Sequence, residues 1–175
     1  MRCYHAAYRQ RAINLPIRDF HLPRYQEIPD VGLFLDQTTK YLTRALQPLC
    51  GISITSSMIS NYVKQKLISR PEKRQYSRDQ IAALMFIAIA KNVLSMEHIS
   101  MLFRLQQQQY DTKTAYEYFC QEFENVLFFI FGLKDQLEEV GKDHTDEKTM
   151  LRNTIITVAH KVYLDKYLAT LHDQI

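Results

Sequence analysis

Apolar residues recur at helical spacing along most of the chain, and this pattern predicts a series of amphipathic helices. The first covers residues 31–46 and ends before Pro48 and Gly51. The second begins after Thr55, which can cap its first turn, and covers about residues 56–65. The inward stripe of this second helix consists of Ile59, Tyr62 and Val63.

Residues 69–76 interrupt the helical pattern. Pro71 disfavours a helix there, so the segment is predicted to form a small β-hairpin. Ser77 and Gln80 then form a capping box for a helix over residues 78–92, whose apolar side chains surround nearly its whole circumference. This helix is therefore expected to be central and largely buried, and a shorter helix capped by Ser95 follows it.

A long helix is predicted from residue 112 to residue 139, because apolar side chains alternate at spacings of three and four. The apolar series consists of Tyr116, Phe119, Phe123, Val126, Ile130, Leu133 and Leu137. Gly141 interrupts the pattern, and a last helix over residues 145–171 could fold back to form a helical hairpin. The aromatic stripe has three interpretations: intramolecular core, dimer interface, or the wall of an effector pocket.

The composition favours helices over strands, since the chain has only four glycines and five prolines. The predicted fold class is all-α, with a small β-hairpin and long C-terminal helices. We expect a loosely packed N-terminal arm over residues 1–24 and a central domain over residues 25–108. Residues 109–175 are expected to form a C-terminal helical hairpin that serves dimerisation or effector sensing.

Several function classes lack their sequence signals. Cys3, Cys50 and Cys120 are odd in number and widely spaced, which argues against a disulfide framework or a zinc site and fits a reducing cytoplasm. The histidines do not fall into a metal-ligand spacing, and phosphate-binding loops and nucleophile motifs are absent. We therefore expect no cofactor, metal site, catalytic residue or membrane helix, although an enzymatic site assembled from distant residues would leave no motif.

The formal net charge of +3 is small, so the position of the charges matters more than their sum. Between residues 51 and 78 the cations greatly outnumber the single acid, Glu72. These cations are Lys64, Lys66, Arg70, Lys73, Arg74 and Arg78. Residues 134–148 are instead rich in carboxylates. The basic segment suits the phosphate backbone of DNA, and the alternative is a basic loop that only aids solubility.

The helix after Thr55 also carries a polar flank. With the apolar stripe turned inward, the opposite side presents Ser57, Ser60, Asn61 and Lys64, and Ser56 lies at the start of the helix. Asparagine can pair with adenine through two hydrogen bonds, serine can bind base edges or phosphate, and lysine can reach guanine or the backbone. The flank therefore suits a major groove, although a merely solvated helix surface has the same composition.

An ordered series of short motifs resembles the winged helix-turn-helix of MerR-type regulators. The series consists of ITSSMISNYVKQKLI at residues 54–68, RQYS at residues 74–77, Ile81, and LSMEHI at residues 94–99. A longer run adds LP at residues 22–23, IPD at residues 28–30 and LDQ at residues 35–37. That run, over about residues 23–124, is similar to a bacterial family catalogued as the domain of unknown function number eighteen thirty-six.

The resemblance implies a recognition helix at residues 56–65 and a wing at residues 68–76, with Tyr62 as a packing residue. Two positions depart from the MerR pattern. Ser60 stands where these regulators commonly have arginine, which removes one expected DNA contact. Lys66 stands where they have glycine, which implies either a different turn or a lysine with a positive φ angle.

These observations favour a dimeric DNA-binding transcription regulator. The helix over residues 56–65 would enter the major groove of double-stranded DNA while the wing holds phosphates, and the resemblance implies a homodimer through the C-terminal helices. The alternative is a protein-interaction module with a degenerate helix-turn-helix that no longer binds DNA, which the serine at position 60 favours. The effector ligand is unknown.

Overall fold

The computed structural model describes residues 13–141 and 145–172. Most of these residues are helical and two short strands form an antiparallel sheet, so the mainly helical fold class is confirmed. Residues 13–18 form α1. The elements that follow are a 3-10 turn (Tyr25–Glu27), β1 (Leu33–Phe34), α2 (Leu35–Leu46), α3 (Ser56–Lys64), β2 (Gln75–Tyr76), α4 (Arg78–Ala90), α5 (Met96–Gln109), α6 (Thr112–Ile130) and α7 (Asp146–His172).

Helix α4 lies at the centre of the molecule, as its apolar sequence predicts, and packs against α2, α6 and α7. The Ser77 side chain accepts a hydrogen bond from the Gln80 N–H at 3.3 Å, and the Gln80 side chain accepts one from the Ser77 N–H at 2.9 Å. This reciprocal pair is the predicted capping box, and it fixes where the helix begins. The buried residues of α4 are Ile81, Ala82, Leu84, Met85, Ile87, Ala88, Ile89 and Ala90.

The sheet joins two segments that are distant in the sequence. Leu33 and Phe34 pair antiparallel with Tyr76 and Gln75 respectively. Gly32 permits this close approach, since a Cβ at that position would lie 2.7 Å from the Gln75 Cβ. The sheet therefore joins residues 75–76, at the end of the basic segment, to the start of α2.

This pairing corrects two sequence predictions. The first helix is expected from residue 31, but residues 33–34 belong to β1 and the helix begins after them. Residues 69–76 are expected to form a small hairpin; its turn and a bridge between Glu72 and Gln75 are present, but β2 takes β1, outside this segment, as its strand partner. The sequence pattern misses β1 because two residues are too few to show a strand period.

The predicted loose packing of the N-terminal arm does not hold for residues 13–24. The Leu22 N–H donates to Glu124 of α6 at 2.8 Å, and the Tyr116 hydroxyl donates to the Pro23 carbonyl at 2.9 Å. A short helical stretch followed by extended chain shows no sustained period, so these contacts leave no sequence signal. Residues 1–12 lie outside the described residues. The buried side chains of this segment are Ile13, Ile17, Phe20 and Leu22.

Helix α6 is shorter than predicted. It ends at Ile130 instead of reaching residue 139, because Gly132 adopts a φ of +66°. The Leu133 N–H donates to the Phe128 carbonyl at 2.8 Å, and the Gly132 N–H donates to the next carbonyl at 3.0 Å. This pair of hydrogen bonds is a Schellman motif, which satisfies the last carbonyl groups of a helix and ends it.

The aromatic stripe of α6 forms part of the core. The Phe119 ring lies 5.2 Å from the Phe86 ring of α4 and 5.8 Å from the Phe123 ring, measured between centroids. Tyr116 and Val126 are buried as well. Of the three interpretations of this stripe, the structure therefore supports intramolecular core for Phe123 and Val126, whereas Tyr116 and Phe119 pack in the core and also border a cavity.

Helices α6 and α7 run parallel, in contrast to the predicted helical hairpin. Three contacts between them show this direction: Tyr118 with Lys148 (Nζ 4.8 Å from the ring centroid), Glu122 with Arg152 (Oε1 to Nε 3.0 Å), and Phe131 with Tyr163 (centroids 5.3 Å apart). Residue numbers increase together along both helices, as they do in parallel elements.

The connection between α6 and α7 explains the parallel arrangement. It begins at Phe131 and ends at Thr145, which is much longer than the roughly 2–5 residues that join antiparallel helices. Within it, the carbonyl of Glu138 accepts a hydrogen bond from the Asn125 amide of α6 at 2.7 Å. The chain therefore returns along α6 before α7 begins.

We predict that Glu124→Ala destabilises the protein by about 1–3 kcal/mol, because it leaves a buried N–H without its acceptor and removes an ion pair. The carboxylate accepts from the Leu22 N–H at 2.8 Å and from Arg24 Nη2 at 2.6 Å. Urea denaturation measures the free energy of unfolding. Asp135→Ala, at an exposed acid, is the matched control. Equal stability of both variants would show that the N-terminal segment is not held by this carboxylate.

Candidate nucleic-acid interface

The polar flank of α3 is exposed to solvent. Thr55 caps the helix by accepting a hydrogen bond from the Met58 N–H at 3.2 Å, which sets the helical phase. Ile59 and Tyr62 are consequently buried. The opposite side presents Ser57, Asn61 and Lys64 as exposed residues at positions i, i+4 and i+7.

The two remaining serines of α3 are half-buried. The Ser56 hydroxyl lies 3.0 Å from the Thr39 hydroxyl of α2, so it takes part in the contact between these helices. Ser60 is also only partly accessible. The fully exposed part of the predicted contact face is therefore Ser57, Asn61 and Lys64.

Helix α3 ends in a Schellman motif whose left-handed position is Lys66. The Lys66 N–H donates to the Val63 carbonyl at 3.1 Å, and the Leu67 N–H donates to the Tyr62 carbonyl at 2.9 Å. Lys66 has a φ of +57°, so of the two predicted possibilities the lysine with a positive φ is the one observed. Such an angle normally favours glycine, because the side chain of an L-residue is crowded there.

A second strained turn lies at the tip of the basic segment. The Gln75 N–H donates to the Glu72 carbonyl at 2.8 Å, and the two residues between them, Lys73 and Arg74, have φ angles of +48° and +65°. Positive φ at both central residues is the mark of a type I′ turn, which usually contains asparagine and glycine. Here two exposed cations occupy the turn instead.

The strained positions coincide with the basic residues. In the part of the chain that the structure describes, the non-glycine residues with positive φ are Lys66, Lys73 and Arg74. Left-handed conformations of this kind cost free energy and concentrate at functional sites. The three left-handed angles therefore fall on cations of the predicted contact surface.

The base of the basic segment is fixed to α4. The Gln80 amide donates to the Ser69 carbonyl at 2.9 Å and lies 3.0 Å from its hydroxyl. Lys64 at the end of α3, and Lys66 and Arg70 shortly after it, line one cavity. The side chains of all three cations are exposed.

Arg78 does not belong with the exposed cations. Its Nε donates to the Ile28 carbonyl at 2.8 Å, and its guanidinium lies 5.4 Å from the centre of the Tyr25 ring. The Tyr25 hydroxyl in turn donates to Asp79 at 2.6 Å, and that hydrogen bond raises the pKa of Tyr25 to about 12. Arg78 therefore fastens the 3-10 turn to the start of α4, and we leave it out of the candidate surface.

Sequence reasoning did not consider three basic residues that lie on α2 or reach α3 from the end of α4. Lys40 and Arg44 are exposed on α2, one helical turn apart, and α2 contacts α3 through Thr39. Lys91 reaches Met58 of α3, with 3.7 Å between Nζ and Sδ, and burial lowers its pKa. The spacing of four between Lys40 and Arg44 is a signal that a search of α2 for a second polar flank would have found.

The connection between α2 and α3 also departs from a simple helix-turn-helix. It covers residues 47–55, whereas the turn in this motif has about 3–4 residues. Gly51 adopts a φ of +75° within it. The packing of the two helices is thus set by a longer loop.

Among residues 13–141 and 145–172, no group of three or more histidine, cysteine, aspartate or glutamate side chains could hold a metal ion. None of the described helices is both long and apolar enough to cross a bilayer.

Comparison with known protein families gives a match. A family model described as "Domain of unknown function (DUF1836)" matches residues 23–119, which is more than half of the chain. The match runs from the segment before the 3-10 turn into α6 and includes α3 and the basic segment. No curated protein and no solved structure matches the chain significantly.

We predict that Lys66→Gly raises the free energy of unfolding by up to about 1 kcal/mol. Relief of the left-handed angle gains roughly 1–2 kcal/mol, which exceeds the roughly 0.4–1 kcal/mol that the added freedom of glycine costs through the unfolded chain. Urea denaturation checks this value. Lys66→Ala is the control, because it removes the same charge but keeps the strained angle. A glycine variant no more stable than the alanine variant would contradict strain at this position.

Proposed function

The chain belongs to the family described as Domain of unknown function (DUF1836), and we propose that it is a DNA-binding transcription regulator. Helix α3 enters the major groove of double-stranded DNA with Ser57, Asn61 and Lys64 on the bases. The cations of residues 66–74 bind phosphates beside it. The observation that carries this proposal is the exposure of the α3 flank in the same segment as the strained, exposed cations.

The chemistry of the α3 flank suits base recognition. An amide can donate to and accept from adenine at once, a hydroxyl can bind several base edges, and an ammonium group can reach guanine. The free N–H groups at the start of a helix add positive potential toward phosphate. Because Ile59 and Tyr62 hold the other side of α3 in the core, the flank is presented on a rigid support.

The electrostatics of the basic segment suit the DNA backbone. Lys64, Lys66, Arg70, Lys73 and Arg74 are all exposed, and Glu72 is the only acid between residues 51 and 78. None of these five cations takes part in an ion pair within the described structure at 4.0 Å or less. Their charge is therefore available for phosphate contacts, which release counterions and supply much of DNA affinity.

A MerR-like winged helix-turn-helix remains part of this proposal. The order of helix, recognition helix, basic turn and buried helix supports it, while the long α2–α3 connection is a departure. The proposal includes a homodimer. The α6 stripe is used inside the chain, so the exposed Leu164 and Leu168 of α7 are the better candidates for subunit contact.

We predict that Lys73→Ala combined with Arg74→Ala weakens binding to all DNA sequences. Each lost phosphate contact should lower the slope of log affinity against log salt by about 0.9. Fluorescence anisotropy with labelled genomic fragments at several salt concentrations measures this slope. Arg18→Ala with Arg104→Ala, which removes two exposed cations from other helices, is the control. Wild-type protein that retains no DNA at low salt would favour the alternative of a protein-interaction module.

We predict that Asn61→Ala mainly relaxes sequence preference, with a loss of about 1–3 kcal/mol of discrimination at one base pair. Sequences selected from genomic fragments by the wild type supply the reference site, and competition with single-base variants measures the preference. A dimer would select two half-sites spaced by about one helical turn. Asn153→Ala, at an exposed asparagine of α7, is the control. An unchanged preference in the Asn61 variant would remove α3 from the base-reading role.

A further inference from the structure

A large cavity lies between residues 63–70 and the helices that follow them in the chain. Its volume is about 720 Å³. It is bordered by the end of α3, the base of the basic segment, and parts of α4, α5, α6 and α7. Small-molecule sites typically have roughly 300–1,000 Å³, so this cavity is large enough to bury a ligand of that size.

Aromatic side chains form the inner wall of the cavity. The Phe86 ring makes edge contacts with Phe103 at 5.5 Å and with Phe119 at 5.2 Å, so three rings from α4, α5 and α6 meet there. Tyr116 and Leu67 also face this space. Such a wall favours a flat, apolar ligand, since aromatic pairs gain from edge-to-face and offset stacking.

The charged residues around the cavity are predominantly cationic. Lys64, Lys66, Arg70 and Lys148 border it, against the two acids Asp79 and Glu147. Lys148 contributes a fourth cation from α7, and its Nζ is 4.8 Å from the Tyr118 ring centroid and 5.7 Å from the Tyr110 ring centroid. A negative group on the ligand would therefore meet favourable potential.

We propose that this cavity binds an aromatic small molecule that carries one acidic group, and that its binding lowers affinity for DNA. The ring system lies against Phe86, Phe103 and Phe119, and the acidic group lies toward the lysines and Arg70. The binding site follows from the cavity alone, whereas the effect on DNA rests on the proposed function.

The two sites are linked because they share residues. Lys64, Lys66 and Arg70 border the cavity and also belong to the surface proposed to face DNA. An anion bound beside them offsets the positive charge that phosphates would otherwise meet. By thermodynamic linkage, DNA must weaken the binding of the small molecule by the same factor.

The first experiment tests the cavity with two dyes that share a ring system. Anilinonaphthalenesulfonate carries a sulfonate, and N-phenylnaphthylamine is its uncharged relative. We expect one saturable site per chain by fluorescence titration, with the sulfonate binding several-fold more tightly. Equal affinity of the two dyes would overturn the requirement for an acidic group, and absence of saturable binding would overturn the site.

Filled variants show whether the dye occupies this cavity. Ala83 of α4 and Ala115 of α6 border it, so Ala83→Phe and Ala115→Phe should each weaken dye binding by at least about tenfold through loss of space. Ala169→Phe, at an exposed alanine of α7, is the matched control and should bind as the wild type does. Urea denaturation identifies which filled variant folds normally. A normally folded filled variant that binds the dye unchanged would overturn the assignment.

The second experiment measures the link to DNA. We expect saturating anilinonaphthalenesulfonate to weaken DNA binding by the wild type and by Ala169→Phe, but not by a folded filled variant. DNA binding that is insensitive to the bound dye would overturn the link and leave the cavity site standing. If the proposed function is wrong, the protein will not bind DNA even without dye. That result would overturn the link as well.

Discussion

Helix α4 has apolar side chains on all its sides, and each must be covered because exposed apolar surface costs roughly 25 cal/mol per Å². That requirement brings α2, α6 and α7 together around one helix. It also positions the candidate sites. The first turn of α4 holds the base of the basic segment through Gln80, and its middle contributes Phe86 to the cavity wall. A largely buried helix therefore positions both the exposed candidate surface and the cavity wall.

Much of the fold could be predicted from local signals. Thr55, Ser77 and Ser95 cap the helices that the sequence pattern assigns to them, because a capping side chain acts within three residues. The pattern fails where contacts are distant. The burial of residues 13–24 and the pairing of β1 depend on α6 and β2, and neither leaves a period in the sequence. The end of α6 was predictable in principle, since Gly132 occupies the usual glycine position of a helix terminus.

The candidate surface could likewise be predicted only in part. Helical phase predicts that Ser57, Asn61 and Lys64 share one side, and the structure places them there. Phase does not report side-chain contacts, so the half-buried Ser56 and the internal bonds of Arg78 could not be foreseen. The glycine-like angle at Lys66 was suggested by the departure from the resembled pattern. The angles of Lys73 and Arg74 had no such precedent, because cations are not the residues that such turns usually select.

The parallel course of α6 and α7 has a consequence for how the molecule is assembled. Helix α7 meets partners made much earlier in synthesis: its Asp165 lies so close to Gly51 that a Cβ there would be 2.5 Å from the Oδ2 atom. Contacts between such distant parts of a chain require large loops to close, which slows folding. Until α7 docks, the side of α6 that it covers is open to water. The docking of α7 therefore determines how long this side of α6 stays prone to aggregation during folding.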